Sequence, residues 1–340
     1  MSTLVLGIES SCDETAAAVV RDGREILSSV VHSQASLHAV HGGVVPEIAG
    51  RTHLEEILPV IDSAMEQAGT DLGAIDAIAV TTRPGLIGSL LVGVSAAKTL
   101  AWVRGLPVVG VHHIEAHVYA AAMEQADAAS LYPCLALVVS GGHTAIYRAA
   151  DEVRIELLGA TRDDAAGEAF DKVAHLLGLP YPGGPSVSRL AEGGDPRAIR
   201  FPRFRSDGEA PEFSFSGLKT AVLYHLRGQD ALNPTPPPEA IPDRADVAAS
   251  FESAVVDVLV DGTLRAAERA GLETVLVAGG VACNRRLRRE MIDRAAAAGV
   301  RAIFPSPAYC TDNAAMIAGL GFHLLRAGRT AGLDLDASPR

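Results

Sequence analysis

The chain has 340 residues, 48% of them hydrophobic, with a formal net charge of −12 and a pI near 5.4. That apolar content excludes disorder over most of the length, and the length suits two lobes rather than one. The acidic balance excludes binding of nucleic acid by overall charge, so a polyanion would have to meet a local basic patch or a partner's surface.

The opening "MSTLVLGIESSCDET" has no basic stretch and reaches Glu9 and Asp13 too early for a signal peptide. No apolar run attains the ~18 residues of a membrane span. Cys12, Cys134, Cys283 and Cys310 are scattered and show no C-x-x-C spacing, as in a reducing compartment. These features predict a soluble cytoplasmic protein.

Residues 4–31 read as strand, small polar turn, strand, "RDG" turn and strand. Residues 76–121 continue as strand, Gly/Pro loop, helix, strand and helix. The scheme then recurs. Residues 135–158 repeat the three strands, with "SGGHT" in the first turn, and residues 273–319 repeat the second block. Such a repeat predicts two related α/β lobes with the working site in a cleft between them. Residues 1–130 and 131–325 are the expected lobes. The expected insertion covers about 178–246, and 326–340 is expected to be a flexible tail. Within the insertion, 178–222 is too irregular for a repeat unit, and 232–246 holds five prolines in an expected exposed loop.

Three histidines and a glutamate stand within "VHHIEAH", Val111 to His117. On a helix His113 and His117 share one face and can address one metal ion, whereas His112 points elsewhere. At the equivalent place in the later half stands "YCTDNAAM", where Asp312 begins a helix. Lobes related by a pseudo-twofold would aim the two helix starts at each other. A two-His, one-carboxylate site with open positions suits iron(II) or zinc. The alternatives are histidines at a helix surface and an aspartate that merely caps its helix. A zincin is excluded at its catalytic residue, because Ile114 and not glutamate follows His113.

The turns "GIESSCDET" and "VSGGHT" match in position, and their small residues let backbone N–H groups approach an anion. Ordinary tight turns favour the same residues. "VAGGVACN" adds a glycine-rich loop before a helix, without the G-x-G-x-x-G of a dinucleotide site. In "DDAAGEAFDKVAHLLG" (163–178) Asp163 and Asp164 complement a helix dipole. Asp171, mid-helix, is a candidate acceptor for ribose hydroxyls or part of a solvated helix face, the simpler of the two readings. "NRRLRRE" (284–290) gathers four arginines, a candidate polyanion contact or a solvated helix face.

Taken together, "GIESSCDET", "GGVVPEIAGRTH", "PGLIGSLLVG", "HHIEAH", "VSGGHT", "DDAAGEAFDK", "YPGGP", "FSFSGLKTAV", "GGVACNRRLR" and "YCTDNAAMIA" closely resemble the bacterial tRNA N6-adenosine threonylcarbamoyltransferase family, TsaD. They run in order along nearly the whole chain. The resemblance implies the actin-like (RNase H-like) fold of sugar kinases and heat-shock ATPases, with two duplicated lobes around a central cleft. It also implies transfer of threonylcarbamoyl from threonylcarbamoyl-adenylate to the exocyclic amine of the adenosine 3′ of the anticodon, in tRNAs reading ANN codons, with release of AMP.

Carried over by motif, the resemblance places a divalent metal, Fe(II) or else Zn(II), on His113, His117 and Asp312. It places substrate contacts on Val138, Val139, Ser140, Gly141, Gly142, Asp171, Gly184 and Asn284. Asp13 and Glu14 are the expected catalytic acids, one of them the general base. The implied partners are tRNA, a catalytically inactive paralogue and a small ATPase, with no membrane. One departure is Arg83 in "RPG", where the family usually has Gly-Pro-Gly. The rival readings are a carbamoyltransferase for a small molecule or protein, a metallopeptidase, and an actin-like ATPase scaffold that needs no His pair.

Overall fold

Strands β1 (Leu4–Glu9), β2 (Glu14–Arg21) and β3 (Glu25–Ser33) form an antiparallel meander. Helices α1 (Ala35–Ala39) and α2 (Pro46–Gln67) lead to β4 (Ala77–Arg83), then α3 (Ile87–Arg104), β5 (Val108–His112) and α4 (His113–Met123). Strands β4 and β5 add in parallel beside β1, giving the order β3-β2-β1-β4-β5. The central strands are continuous apolar runs because helices cover both faces. Val5 of β1 packs with α4, while its neighbour Leu6 packs with α2 and α3, the alternation that a strand imposes. Gly105 closes α3 in the left-handed region at φ 65°.

A second set repeats the plan. Strands β6 (Cys134–Val139), β7 (Thr144–Ala149) and β8 (Ile155–Ala160) precede α5 (Ala166–Leu176), α6 (Gly183–Ala191), α7 (Ser216–Arg227) and the long α8 (Arg244–Ala270). Then come β9 (Thr274–Ala278), α9 (Arg285–Ala297) and β10 (Arg301–Ile303), followed by α10 (Pro307–Cys310) and α11 (Ala314–Arg326). The sheet order β10-β9-β6-β7-β8 is that of the first sheet position for position, so the sequence repeat is also a topological one.

The computed structural model describes residues 2–206, 208, 210–228, 233–234 and 236–340. The proline-rich stretch therefore lies partly outside the described residues, at 232 and 235; Pro238–Ala240 forms a single 3-10 turn, and α8 begins at Arg244. The chain packs as two units. One comprises Met1–Tyr132, Ala150–Ile155 and Pro305–Arg340, and the other Pro133–Ala149 and Glu156–Phe304.

This partition departs from the expected boundaries at the C-terminal end. The segment from Pro305, assigned by sequence to the second lobe, packs in the first unit, because α11 lays Ala318, Leu320 and Phe322 onto the same apolar cluster as α4. The expected flexible tail is also docked. Ala331 bridges to Val108, Lys98 Nζ donates to the Leu335 carbonyl at 2.9 Å, and Ser338 N donates to the Thr82 carbonyl at 2.8 Å. Leu335 and Ala337 pack against the cluster under α2 and α3, so small and polar composition hid two apolar anchors. No helix among the described residues is long and apolar enough to cross a membrane.

Candidate metal centre and substrate residues

Helix α4 starts at the C-terminal end of β5, and its first residue is His113. His112 serves as its N-cap, its ring nitrogen accepting from Ile114 N at 3.2 Å. One turn on, His117 stands beside His113 with ring centroids 4.7 Å apart, edge to face. His117 is wholly buried and His113 is 6% exposed.

Asp312 comes to them from the turn before α11. The cap of α11 is Asn313, whose side chain accepts from Met316 N at 3.0 Å, so the Asp312 carboxylate is released from capping. Its position depends on a close approach. Gly7 in β1 leaves room for the start of α11, since a Cβ there would stand 2.3 Å from the Ala314 carbonyl oxygen. His113, His117 and Asp312 thus belong to one unit, and α4 and α11 pack on the same sheet. The expectation of helix starts facing each other from opposite lobes is corrected accordingly.

His113 Nε2 and His117 Nε2 lie 3.3 and 3.1 Å from the same oxygen, Asp312 Oδ1. Among the described residues this is the cluster of three donors able to hold a metal, with all donor atoms within 4.8 Å of one another. Bonds of about 2.0–2.2 Å from a central ion to nitrogen or oxygen would set adjacent donors ~3.0–3.4 Å apart, which is how far each histidine nitrogen stands from Asp312 Oδ1. The donor set and its spacing both fit a divalent ion.

A buried carboxylate supports the site from behind. Glu9, at the end of β1 and 0% exposed, accepts from His113 Nδ1 at 2.8 Å, from Thr81 Oγ1 at 2.7 Å and from Ser11 N at 2.6 Å. A proton kept on Nδ1 by Glu9 fixes the tautomer whose Nε2, once its own proton is displaced, would present a lone pair toward Asp312, the orientation a ligand needs. Burial works against charge on His113, but the Asp312 and Glu9 carboxylates outweigh it and hold the imidazole well above its ordinary range. Burial likewise opposes the charge on Asp312, and the two histidines overcome it and hold the acid well below the usual carboxylate range. His117 is shifted down, chiefly by burial. Sequence reading passes over Glu9. The available signal is a charged residue closing an otherwise apolar strand, "LVLGIE".

Asp13 and Glu14 occupy the turn between β1 and β2 in the same unit. Burial pushes the Glu14 carboxyl up to about 9, with Asp312 and Asp13 adding to the effect. The turn is braced: the Cys12 carbonyl accepts from His53 Nε2 at 3.0 Å, and Thr15 Oγ1 lies 2.7 Å from His53 Nδ1. Arg83 is exposed, and with Arg329 its charge pulls against the burial that lifts the Glu115 carboxyl.

The expected substrate residues all lie in the second unit. Val138 and Val139 end β6 and are buried. Ser140 begins the following turn, its carbonyl accepting from Gly167 N at the start of α5. Gly141 and Gly142 are exposed and face open space, as does Gly184 at the start of α6. Asp171 on α5 accepts from Gly183 N at 2.7 Å, tying α5 to the start of α6. Asn284 caps α9 by accepting from Leu287 N at 2.8 Å, and its amide donates to Ser188 Oγ and Glu252 Oε1.

The arginines of "NRRLRRE" are largely engaged. Arg285 pairs with Glu192, Arg286 donates to Ser253 Oγ, and Arg289 pairs with Glu290. Arg288 donates to the Ala282 carbonyl and lies over the Phe304 ring.

Comparison with known proteins follows the same lines. Residues 25–319 match the TsaD family profile, described as tRNA N6-adenosine threonylcarbamoyltransferase. Proteins of that name from Geobacter sulfurreducens and Symbiobacterium thermophilum are 58% and 54% identical. The first match covers 98% of this chain and 95% of the relative, the second 99% and 96%. Among solved structures, T. kodakarensis HypF superimposes with a TM-score of 0.60 at 14% identity, over 96% of this chain and 48% of that one. A ROK hexokinase from Thermus thermophilus gives 0.53 at 16% identity, over 96% and 99%. Those two likenesses establish the actin-like fold. Sequence similarity along nearly its whole length shows that the chain belongs to the TsaD family of tRNA N6-adenosine threonylcarbamoyltransferases.

Proposed function

We propose that this chain transfers a threonylcarbamoyl group from threonylcarbamoyl-adenylate to N6 of the adenosine 3′ of the anticodon in tRNAs reading ANN codons. The reading rests on similarity to proteins of that activity over 98% of the chain at 58% identity. In the reaction the adenosine amine attacks the carbamoyl carbon, the bond from that carbon to the AMP phosphate oxygen breaks, and N6 loses a proton.

An aromatic amine is a weak nucleophile, so orientation and stabilisation of the leaving phosphate supply much of the acceleration. His113, His117 and Asp312 hold the divalent ion, Fe(II) or Zn(II). When bound, it supplies Lewis acidity toward a carbonyl or phosphate oxygen. Glu9 fixes the His113 tautomer. The open backbone at Gly141, Gly142 and Gly184 receives the donor's nucleotide moiety, and Val138 to Ser140 and Asp171 support those loops. Asn284 contributes by capping α9 and joining it to α6 and α8. A carboxyl lifted to about 9 keeps its proton at neutral pH, which favours Asp13 over Glu14 as acceptor of the N6 proton. The working complex includes a catalytically inactive paralogue and a small ATPase and acts in the cytoplasm.

The test is labelled threonine incorporation into unmodified tRNA, with the adenylate-forming enzyme, ATP, bicarbonate and the companion proteins. Wild type labels tRNA and His117→Ala does not. Label that accumulates as the adenylate without reaching tRNA in the wild type would favour a small-molecule or protein acceptor instead.

A further inference from the structure

The acidity of the chain is unevenly distributed. The first unit carries 20 acidic and 10 basic residues and the second 21 and 19, so the net −12 resolves into −10 and −2. A polyanion is repelled by the first unit and nearly indifferent to the second, where local arrangement decides. The irregular segment after α6 concentrates arginine: "DPRAIRFPRFRS", residues 195–206, contains Arg197, Arg200, Arg203 and Arg205 against a single acid, Asp195.

The segment is anchored through its other residues. Phe201 is 4% exposed, with its ring edge-on to His225. Phe204 is half-buried under the Arg162 guanidinium, 5.4 Å away. Ile199 N donates to Ser250 Oγ on α8 at 3.1 Å, and Ser206 Oγ donates to the Ala210 carbonyl. All four arginines are exposed. Arg203 is held by Asp257 at 3.0 Å and by its donation to the Phe201 carbonyl, while the other three guanidinium groups make no ion pair or hydrogen bond among the described residues. Three carboxylates packed around the segment are committed: Asp195 accepts from Arg197 N, Asp257 pairs with Arg203 and Arg294, and Glu212 pairs with Arg162. Arg205 also lines a hollow with Asp261, Glu268 and Glu273, without an ion pair to any of them.

We propose that this anchored ribbon docks the phosphate backbone of the acceptor tRNA, with Arg197, Arg200 and Arg205 as the phosphate contacts. The proposal rests on the transferase reading above. The anchored backbone spares the cost of ordering the chain on binding, and guanidinium suits phosphate by its paired donors. Contacts of this kind set position and affinity without reading sequence. They also replace "NRRLRRE" as the polyanion contact, since its arginines are spent on Glu192, Ser253, Glu290 and the Ala282 carbonyl.

The test uses the full chain with its companions and an unmodified tRNA transcript. Arg197→Ala, Arg200→Ala and Arg205→Ala are combined, and the same three sites are changed to Lys in a second protein. The Ala protein is expected to weaken tRNA binding at least tenfold at low salt. The slope of log K against log salt should fall by about 2–3, nearly one for each phosphate no longer neutralised. Its KM for tRNA rises while kcat at saturating tRNA and the melting temperature stay at the wild-type values. The Lys protein retains the salt slope, and Arg285→Ala with Arg289→Ala leaves binding unchanged. If wild type binds and modifies tRNA and the triple Ala protein matches it in affinity and slope, the ribbon is a solvated surface and the proposal falls, with the transferase reading intact. A wild type that neither binds nor modifies tRNA overturns both.

Discussion

Changing Glu9 to Gln probes the candidate metal centre without touching a candidate ligand. The carboxylate accepts three hydrogen bonds, from Ser11 N through one oxygen and from Thr81 Oγ1 and His113 Nδ1 through the other. Glutamine offers one oxygen and one NH2 group in the same space. If its oxygen stays on Ser11 N, the NH2 faces His113 Nδ1, which must then accept and move its proton to Nε2. That blocks the lone pair directed toward Asp312. If the amide turns over, the Ser11 N–H is left against a donor in a fully buried position. Losing an outer-shell partner of a ligating histidine costs roughly 10–100-fold in metal affinity, about 1.4–2.8 kcal/mol, and the tautomer conflict places Gln toward the upper end.

Glu9→Ala acts differently, leaving three buried donors without an acceptor at ~1–3 kcal/mol each, so it destabilises the fold as well. Chelator-competition titration gives the affinity, Co(II) absorption the ligand geometry, and thermal melting of metal-free protein the fold. Gln is expected to lower affinity strongly with a small change in melting, and Ala to lower both. A Gln protein with wild-type affinity and an unaltered Co(II) spectrum would refute the orienting role of Glu9.

Metal binding is expected to tighten as pH rises and to release about one proton near neutrality, measurable by calorimetry in buffers of different ionisation enthalpy, because the ion displaces the proton that Asp312 and Glu9 hold on His113. Glu14→Gln is expected to stabilise the metal-free protein above neutral pH. A folded-state pKa of about 9 against 4.5 means the native state retains a proton that the unfolded chain has lost, so wild-type stability falls between those values. The advantage of Gln should vanish below pH 4.5; equal melting of the two proteins at pH 5 and pH 8.5 would contradict it. Gly7→Ala forces a methyl to within 2.3 Å of the Ala314 carbonyl. Overpacking of this kind costs ~1–3 kcal/mol. Shifting α11 also moves Asp312, so metal affinity should fall together with the melting temperature, and a drop in melting alone would separate the two.

Periodicity and repetition made the two sheets legible, because a buried central strand such as β1 or β6 can be little else than an apolar run between turns. The same reasoning singled out His113 and His117 as a candidate pair, because their spacing is a property of one helix. It misplaced Asp312, because membership of a unit is decided by packing and not by position in the repeat. Helix α11 belongs by order to the second half, yet Gly7 together with Gly319 and Gly321 lets it lie close on the first sheet, where Ala79 and Tyr119 meet it. Glycines inside a strand and a helix carry no periodic signal, so the approach that brings Asp312 to the histidines is visible only in the folded backbone.

Charge shows the same limit. Clustering pointed to "NRRLRRE", but a guanidinium that has found a carboxylate or a carbonyl has less to offer a phosphate, and partners are a tertiary fact. The arginines of 197–205 are spaced less densely, and what distinguishes them is that phenylalanines and the Ile199 amide hold the chain while three of the side chains stay uncommitted. Anchoring by the apolar residues and freedom of the charged ones is a combination that neither composition nor spacing reports.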